Sequence, residues 1–250
     1  MSSSKWQQIK MYQKFATIYD RLMEDIPYEN YLAWVSHETG GFAGKSVMEL
    51  GCGTGTLAIG FAHLGAKVIG LDLSAEMIHQ AKLKSVEEEV DVEFIQGSMT
   101  DFTVDQLLDI IVIPIDSLNY LESKVDIVTT FASIYRALKP GGHLFFDVHS
   151  LDKIEAYLDG PFIYEDDEVA YLWSTEPGEA EYSVYHDITF FVAAADGRYD
   201  RFEEHHYQRT FPVVEYQQLL QNSGFHSITS SDDVFGEEHE GLRQFIHAVK

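Results

Sequence analysis

Val47-Met-Glu49-Leu-Gly51-Cys-Gly53-Thr-Gly55-Thr56 decides the fold of this 250-residue chain. The apolar run Ser46–Leu50 reads as a buried strand, and Thr54–Leu64 reads as an amphipathic helix. The glycines between them lie where a backbone must turn sharply and approach a ligand closely. The free N–H groups of the following helix face the same point. The spacing is G-x-G-x-G, so the third glycine of the dinucleotide fingerprint G-x-G-x-x-G falls on Thr56 instead. Glu49 discriminates further, because a carboxylate there opposes a pyrophosphate and favours a ligand carrying an ammonium group. Asp72 closes the next apolar run, 21 residues after Gly51, where an acid can accept hydrogen bonds from both ribose hydroxyls.

Working outward, apolar runs at Lys67–Leu71, Asp91–Ile95, Asp109–Ile113 and His143–Val148 alternate with helical segments at Ala75–Ser85 and Lys124–Leu138. Strands and helices alternating in this way predict βαβ units and a parallel sheet with helices on both faces. Upstream, aromatic and aliphatic residues at helical spacing predict two helices broken near Pro27. The first holds Tyr12, Phe15, Ile18, Tyr19 and Leu22.

From 151 to 211 the rhythm becomes antiparallel. Tyr182, Val184, His186, Ile188, Phe190 and Val192 alternate with polar neighbours, Asp196-Gly197 makes a turn, and Tyr199–Phe211 returns. Shorter strands are expected at Phe162–Glu165 and Val169–Trp173. A helix over Val213–Ser223 and strands at His226–Ser230 and Gln244–Val249 then complete the first sheet. The expected organisation is an amino-terminal helical lid (1–40), an α/β domain (41–150 and 212–250) and an inserted antiparallel β region (151–211).

The motifs closely resemble those of class I S-adenosylmethionine-dependent methyltransferases, in particular bacterial members acting on small molecules. Glu49-Leu-Gly-Cys-Gly-Thr-Gly is similar to their first motif, and Val68-Ile-Gly-Leu-Asp72-Leu-Ser to their second strand with its ribose-binding acid. Ile95-Gln-Gly-Ser98-Met99-Thr-Asp-Phe resembles the segment flanking adenine. Asp109-Ile-Ile-Val-Ile-Pro-Ile-Asp116-Ser-Leu-Asn-Tyr-Leu resembles the fourth strand and its exit. Leu138-Lys-Pro-Gly-Gly-His-Leu-Phe-Phe-Asp resembles the turn into strand five. The resemblance implies a doubly wound, Rossmann-like, seven-stranded and mostly parallel sheet carrying an antiparallel β insert. It further implies S-adenosylmethionine as cofactor, with Glu49 on its ammonium, Asp72 on its ribose, and Leu73 and Met99 flanking its adenine. Ser98 stands where the family often has Asp, and its hydroxyl can still accept. Gly51, Gly53 and Gly55 form the cradle, Ile115 and Asp116 point towards the methyl group, and Tyr19 closes over the methionine moiety.

Methyl transfer from a sulfonium is driven largely by proximity, and it needs a general base only when the acceptor holds a proton. His149, just beyond strand five, is the first candidate for that base and Asp116 the second. His205 and His206 face opposite sides of one strand, so at most one can face a pocket. No three-acid metal arrangement stands out.

Charge and composition set the partners. Lys+Arg 17 against Asp+Glu 41 gives a net charge of -24, which disfavours nucleic acid and anionic lipid. The single cysteine, Cys52, fits a reducing compartment. No leader-like apolar segment or membrane-length run is present. A soluble, cytoplasmic enzyme acting on a small-molecule acceptor is therefore expected. An RNA or protein methyltransferase, and a non-catalytic cofactor-binding protein, are the alternatives. The insert's aromatics (Tyr164, Tyr171, Trp173, Tyr182, Tyr185, Phe190, Tyr207) fit an acceptor pocket, a homodimer interface or a small core of the insert equally well.

Overall fold

The computed structural model describes residues 18–194, 196–236 and 241–250. Tyr12 and Phe15 lie outside them, as does much of the expected lid. Within them, residues 18–22 are helical. The chain then runs α1 (Tyr28–Thr39), β1 (Ser46–Leu50), α2 (Thr56–His63), β2 (Lys67–Asp72), α3 (Ala75–Glu87), β3 (Val92–Gln96) and β4 (Leu108–Ile113). A 3-10 turn (Ser117–Tyr120) leads to α4 (Lys124–Ala137), β5 (Leu138–His149) and α5 (Leu151–Tyr157). Four strands follow: β6 (Phe162–Glu165), β7 (Val169–Pro177), β8 (Ser183–Ala193) and β9 (Tyr199–Arg209). The chain closes with α6 (Val213–Asn222), β10 (His226–Ser231) and β11 (Arg243–Val249).

The larger sheet has seven strands in the order β10-β11-β5-β4-β1-β2-β3. Strand β11 alone runs antiparallel to its neighbours β5 and β10. The inner strands β1, β4 and β5 are buried on both faces, which is why they are nearly continuous apolar runs, whereas the edge strands β3 and β10 are largely exposed. Period two sorts their side chains. Met48, Ile111, Ile113, Phe146 and Ile246 pack on one side with Phe131, Ile134 and Tyr216 from α4 and α6. Val47, Ile110, Val112 and Phe145 pack on the other with Tyr31, Phe61 and Ile78 from α1, α2 and α3.

Helix starts are set by capping hydroxyls. Ser74, Ser123 and Ser150 each accept the backbone N–H three residues on, satisfying donors that the helix leaves open. The Ser150 cap begins α5, which the sequence reading omits. Its signal is short: a capping serine followed by Leu151 and Ile154.

The second sheet, β6-β7-β8-β9, is wholly antiparallel. Its small core of Val169, Phe190 and Phe202 receives Ile18 and Leu22 from the leading helical turns. Arg21 is ion-paired with Asp166 (3.0 Å) and Glu168 of the same sheet. The insert and the leading segment therefore meet each other as well as the α/β layer. Among the described residues, no helix is long and apolar enough to cross a membrane.

Gly70, in the middle of β2, is required by packing: an added Cβ would lie 2.6 Å from the Phe94 ring and 3.1 Å from Cys52 Sγ. Gly70→Ala is expected to cost about 1–3 kcal/mol through overpacking. Urea denaturation followed by far-UV circular dichroism measures this, and an unchanged midpoint would refute the packing argument.

Candidate functional site

The carboxyl ends of β1 and β4 open into one cleft, lined by Tyr19, Tyr28, Glu49, Gly51, Gly53, Thr54, Ile115 and Ser117 among others. Its floor is the glycine loop, whose three glycines differ in their reasons. A Cβ on Gly51 would collide with Ser117 Cβ at 2.7 Å, and one on Gly55 with the Phe94 ring at 2.6 Å. Those two let neighbouring elements close in. All three have positive φ, but Gly53 has nothing but Tyr19 Cε1 (3.8 Å) near a Cβ, so its backbone faces open cleft.

Two carboxylates flank the loop in different states. Glu49 is 3% exposed, and its Oε2 has no hydrogen-bond partner. Burial pushes its carboxyl well above the ordinary value, against a backbone hydrogen bond that lowers it. An unsatisfied buried carboxylate beside a cleft is what an ammonium-bearing ligand would match. Asp72 accepts Gly53 N–H at 2.8 Å on one oxygen and Ser74 N–H at 2.8 Å on the other. It therefore shapes the loop, and each oxygen keeps a lone pair for a further donor. Burial raises its pKa, and those N–H groups oppose the rise.

Tyr19 lies over the loop because its neighbour Asp20 is fastened there. Asp20 takes the Thr54 hydroxyl and the Lys84 ammonium (2.6 Å). Ser98 and Met99 follow β3. The Ser98 hydroxyl is engaged with Thr100 (2.8 Å), and Met99 packs at the edge of the core below the loop. Leu73 is 73% exposed, leaving an apolar surface beside Asp72.

The exit of β4 carries the strongest electrostatics. Ile115 and Asp116 both have left-handed φ, 51° and 50°, which for non-glycine residues costs about 1–3 kcal/mol each. Asp147, fully buried on β5, offsets that strain by accepting Ile115 N–H (2.7 Å) and Asp116 N–H (3.0 Å). Arg243 at the head of β11 then spans both acids, at 2.6 Å from Asp116 Oδ1 and 2.5 Å from Asp147 Oδ2. Burial raises the Asp116 carboxyl, but Arg243 and His149 outweigh it and hold the group below its ordinary value. Asp147 is left above its own by burial.

His149 occupies a different setting from the one expected. It is 1% exposed and held by its backbone to Asn119 Oδ1 (2.9 Å) and the Thr210 hydroxyl (2.6 Å). Gln208 Nε2 donates to Asp116 Oδ2 at 2.9 Å, so the amide oxygen faces His149 Nε2 at 3.1 Å. That arrangement puts the imidazole hydrogen on Nε2 and leaves Nδ1 bare but sealed inside the protein. Burial drives its pKa down to about 4. An imidazole with no face on the cleft is poorly placed to take a proton from an acceptor; it ties β5 to β9. Of the neighbouring pair, His205 is exposed on Asp187, while His206 is half-buried beside Tyr120. Sequence reasoning missed Arg243, Asp147 and Gln208, which carry the clamp: Arg243 and Gln208 lie far from any motif, and Asp147, though it ends the Leu138–Asp147 motif, had no local signal that it would meet Arg243.

A methyltransferase-domain family model matches residues 47–142. The Bacillus subtilis (strain 168) protein named "Putative methyltransferase YqeM" is 43% identical over 247 residues, spanning 96% of this chain and 97% of that one. The crystal structure of an S-adenosylmethionine-dependent methyltransferase from Clostridium acetobutylicum superposes with a TM-score of 0.84 at 26% identity, covering 96% of this chain and 98% of the other. The sugar N-methyltransferase KedS8 from Streptoalloteichus superposes with a TM-score of 0.73, covering 93% and 92%. At 19% identity that likeness shows the fold alone.

Removing Arg243 strands two buried carboxylates, so Arg243→Ala is expected to lose about 3–5 kcal/mol of stability near neutral pH. The pH dependence has a defined sign. In the native protein the depressed Asp116 pKa contributes stability above its unfolded value and loses it as pH falls through the folded one. Without Arg243 the Asp116 carboxyl rises above its unfolded value and that of Asp147, already raised, rises further, so the deficit should shrink between pH 7 and about pH 5. Urea melts of both proteins across that range check it; a deficit that does not change with pH would count against the clamp.

Proposed function

The chain belongs to the S-adenosylmethionine-dependent methyltransferases, and on that footing we propose that it methylates a small molecule held between the glycine loop and the second sheet. When bound, S-adenosylmethionine supplies a methyl group on an electrophilic sulfonium. The observation that carries the small-molecule reading is the way the roof is fastened. Gln208 of β9 is bonded to Asp116, Asn119 Nδ2 donates to Arg209 O at 2.8 Å, and Arg209 reaches Glu122 O at 3.1 Å. Arg21 joins the leading helical turns to the β6–β7 corner. A cleft walled in this manner by its own chain suits a compact acceptor better than a duplex or a folded protein. The net charge of -24 also disfavours a polyanion. The sugar N-methyltransferase shares this architecture, which makes a compact polar acceptor a natural first class to test.

In this reading Glu49 takes the cofactor's ammonium and Asp72 its ribose hydroxyls. Leu73, Ser98 and Met99 surround the adenine, and Gly51, Gly53 and Gly55 give the backbone room to approach. Tyr19 closes over the methionine part, while Ile115 and Asp116 border the space in front of the methyl group. Asp116 has one oxygen on Arg243 and the other on Gln208, so it orients and supplies negative potential rather than accepting a proton. The chain's contribution is then chiefly alignment of two reactants in a dry site.

Calorimetric titration tests the assignments. Glu49→Gln should weaken S-adenosylhomocysteine by about 1–3 kcal/mol and leave methylthioadenosine, which has no ammonium, unaffected. Asp72→Ala should weaken both. Because burial raises the Glu49 pKa before a cation arrives, wild-type affinity for S-adenosylhomocysteine should increase with pH and binding should release protons. Equal losses for both ligands in Glu49→Gln would remove Glu49 from the ammonium site.

A further inference from the structure

The face that β9 turns towards Asp116 and Tyr120, at the exit of β4, holds two polar side chains that the fold leaves without a hydrogen-bond partner. Alternate residues share a strand face, so Phe202, Glu204, His206 and Gln208 form one row. Both ends of the row are accounted for: Phe202 is in the roof's core, and Gln208 is bonded to His149 and Asp116. Between them Glu204 is 9% exposed. Among the described residues its carboxylate has no hydrogen bond and no Lys or Arg partner, and its ion-pair contact is His206 Nε2 at 3.9 Å. That separation is too long for a hydrogen bond but short enough for one nitrogen to reach both groups. Neither ring nitrogen of His206 is otherwise hydrogen-bonded among the described residues, and its ring stands edge-on to Tyr120 with centroids 5.8 Å apart. The Tyr120 hydroxyl feels both Asp116 and Glu204, which places it between the β4 exit and β9.

The nearby cations are committed elsewhere. Arg243 is clamped by Asp116 and Asp147, and Lys153 lies over the Tyr157 ring. Burial raises the Glu204 carboxyl, and His205 on the other face of the strand opposes that rise without reversing it; a nearly buried carboxylate so weakly matched is costly, and a cationic ligand would offset that cost. An aromatic ring beside it adds a face for the same cation.

Resting on the small-molecule reading above, we propose that the acceptor is an amine, bound as its ammonium ion by Glu204 and deprotonated by His206. The ammonium N–H bond breaks and the proton goes to His206 Nε2; the lone pair left on nitrogen forms the new bond to the methyl carbon as that carbon's bond to the sulfonium sulfur breaks, its electron pair staying on sulfur in the departing S-adenosylhomocysteine. His206 is suited to this because burial lowers its pKa and keeps it neutral near pH 7, with His205 reinforcing the effect and Asp116 opposing it. The groups around it are Glu204 and His205 on β9, His186 opposite on β8, and Asp116 and Tyr120 from the β4 exit.

The test uses the full chain, S-adenosylmethionine labelled in its methyl group, and a bacterial metabolite extract in two halves. One half is treated with an amine-selective acylating ester. Label is expected in products retained on a cation exchanger, and acylation should abolish it. Glu204→Gln and His206→Ala should each lower transfer at pH 7 by tenfold or more, with S-adenosylhomocysteine affinity unchanged by calorimetry. Transfer by His206→Ala should recover at about pH 9.5, where the free amine forms unaided; a merely structural defect would not recover. Arg201→Ala, exposed on the outer face of the same strand, should match wild type. Label in products that survive acylation, or full activity in either cleft variant, would overturn the amine assignment and leave the small-molecule reading standing. No transfer to any fraction, while S-adenosylhomocysteine still binds, would overturn both.

Discussion

One guanidinium holds the working end of this molecule together. Arg243 stands at the start of the last strand, yet it reaches Asp147 on β5 and Asp116 beyond β4. Through Asp147 it supports two left-handed residues that the chain would otherwise avoid. Through Asp116 and Gln208 it ties β9, the edge strand of the second sheet, to the exit of β4. Buried ion pairs are a poor source of net stability. Their value here is positional, since three strands and the insert have one mutual arrangement that satisfies every charge.

The acids of the cleft divide by how completely the fold satisfies them. Asp116 and Asp147 are matched by Arg243 and by backbone donors. Asp72 is half-matched, having lent one lone pair on each oxygen to the loop. Glu49 Oε2 and the Glu204 carboxylate have no such donors among the described residues. Unmatched buried carboxylates are expensive, and at a binding site they mark where a ligand's donors belong. By that criterion two places ask for positive groups, one beside Glu49 at the glycine loop and one beside Glu204 on β9.

Much of the fold was legible because its signals are local. Ser46–Leu50, Phe162–Glu165 and the ends of most other elements follow from apolar period, glycine turns and capping hydroxyls. Helix α5 escaped because one serine cap and two apolar positions are a faint signal. The loop side of the site was equally legible, since Glu49, the glycines and Asp72 lie within 24 residues. His149 was read as facing the ligand because it ends a strand on the correct side of the sheet. What turned it inward was Gln208, 59 residues away, and no local pattern reports such a partner.

The sequence by itself determined the strand–loop–helix unit, the preference for a phosphate-free cofactor, and the presence of an antiparallel insert. These rest on spacing and charge within short stretches. Only the tertiary structure decided which carboxylates are neutralised and that His149 is sealed inside the protein. Those outcomes depend on Arg243, Gln208 and Glu204 arriving from strands remote in sequence, and burial sets the protonation of a group only once its neighbours are in place.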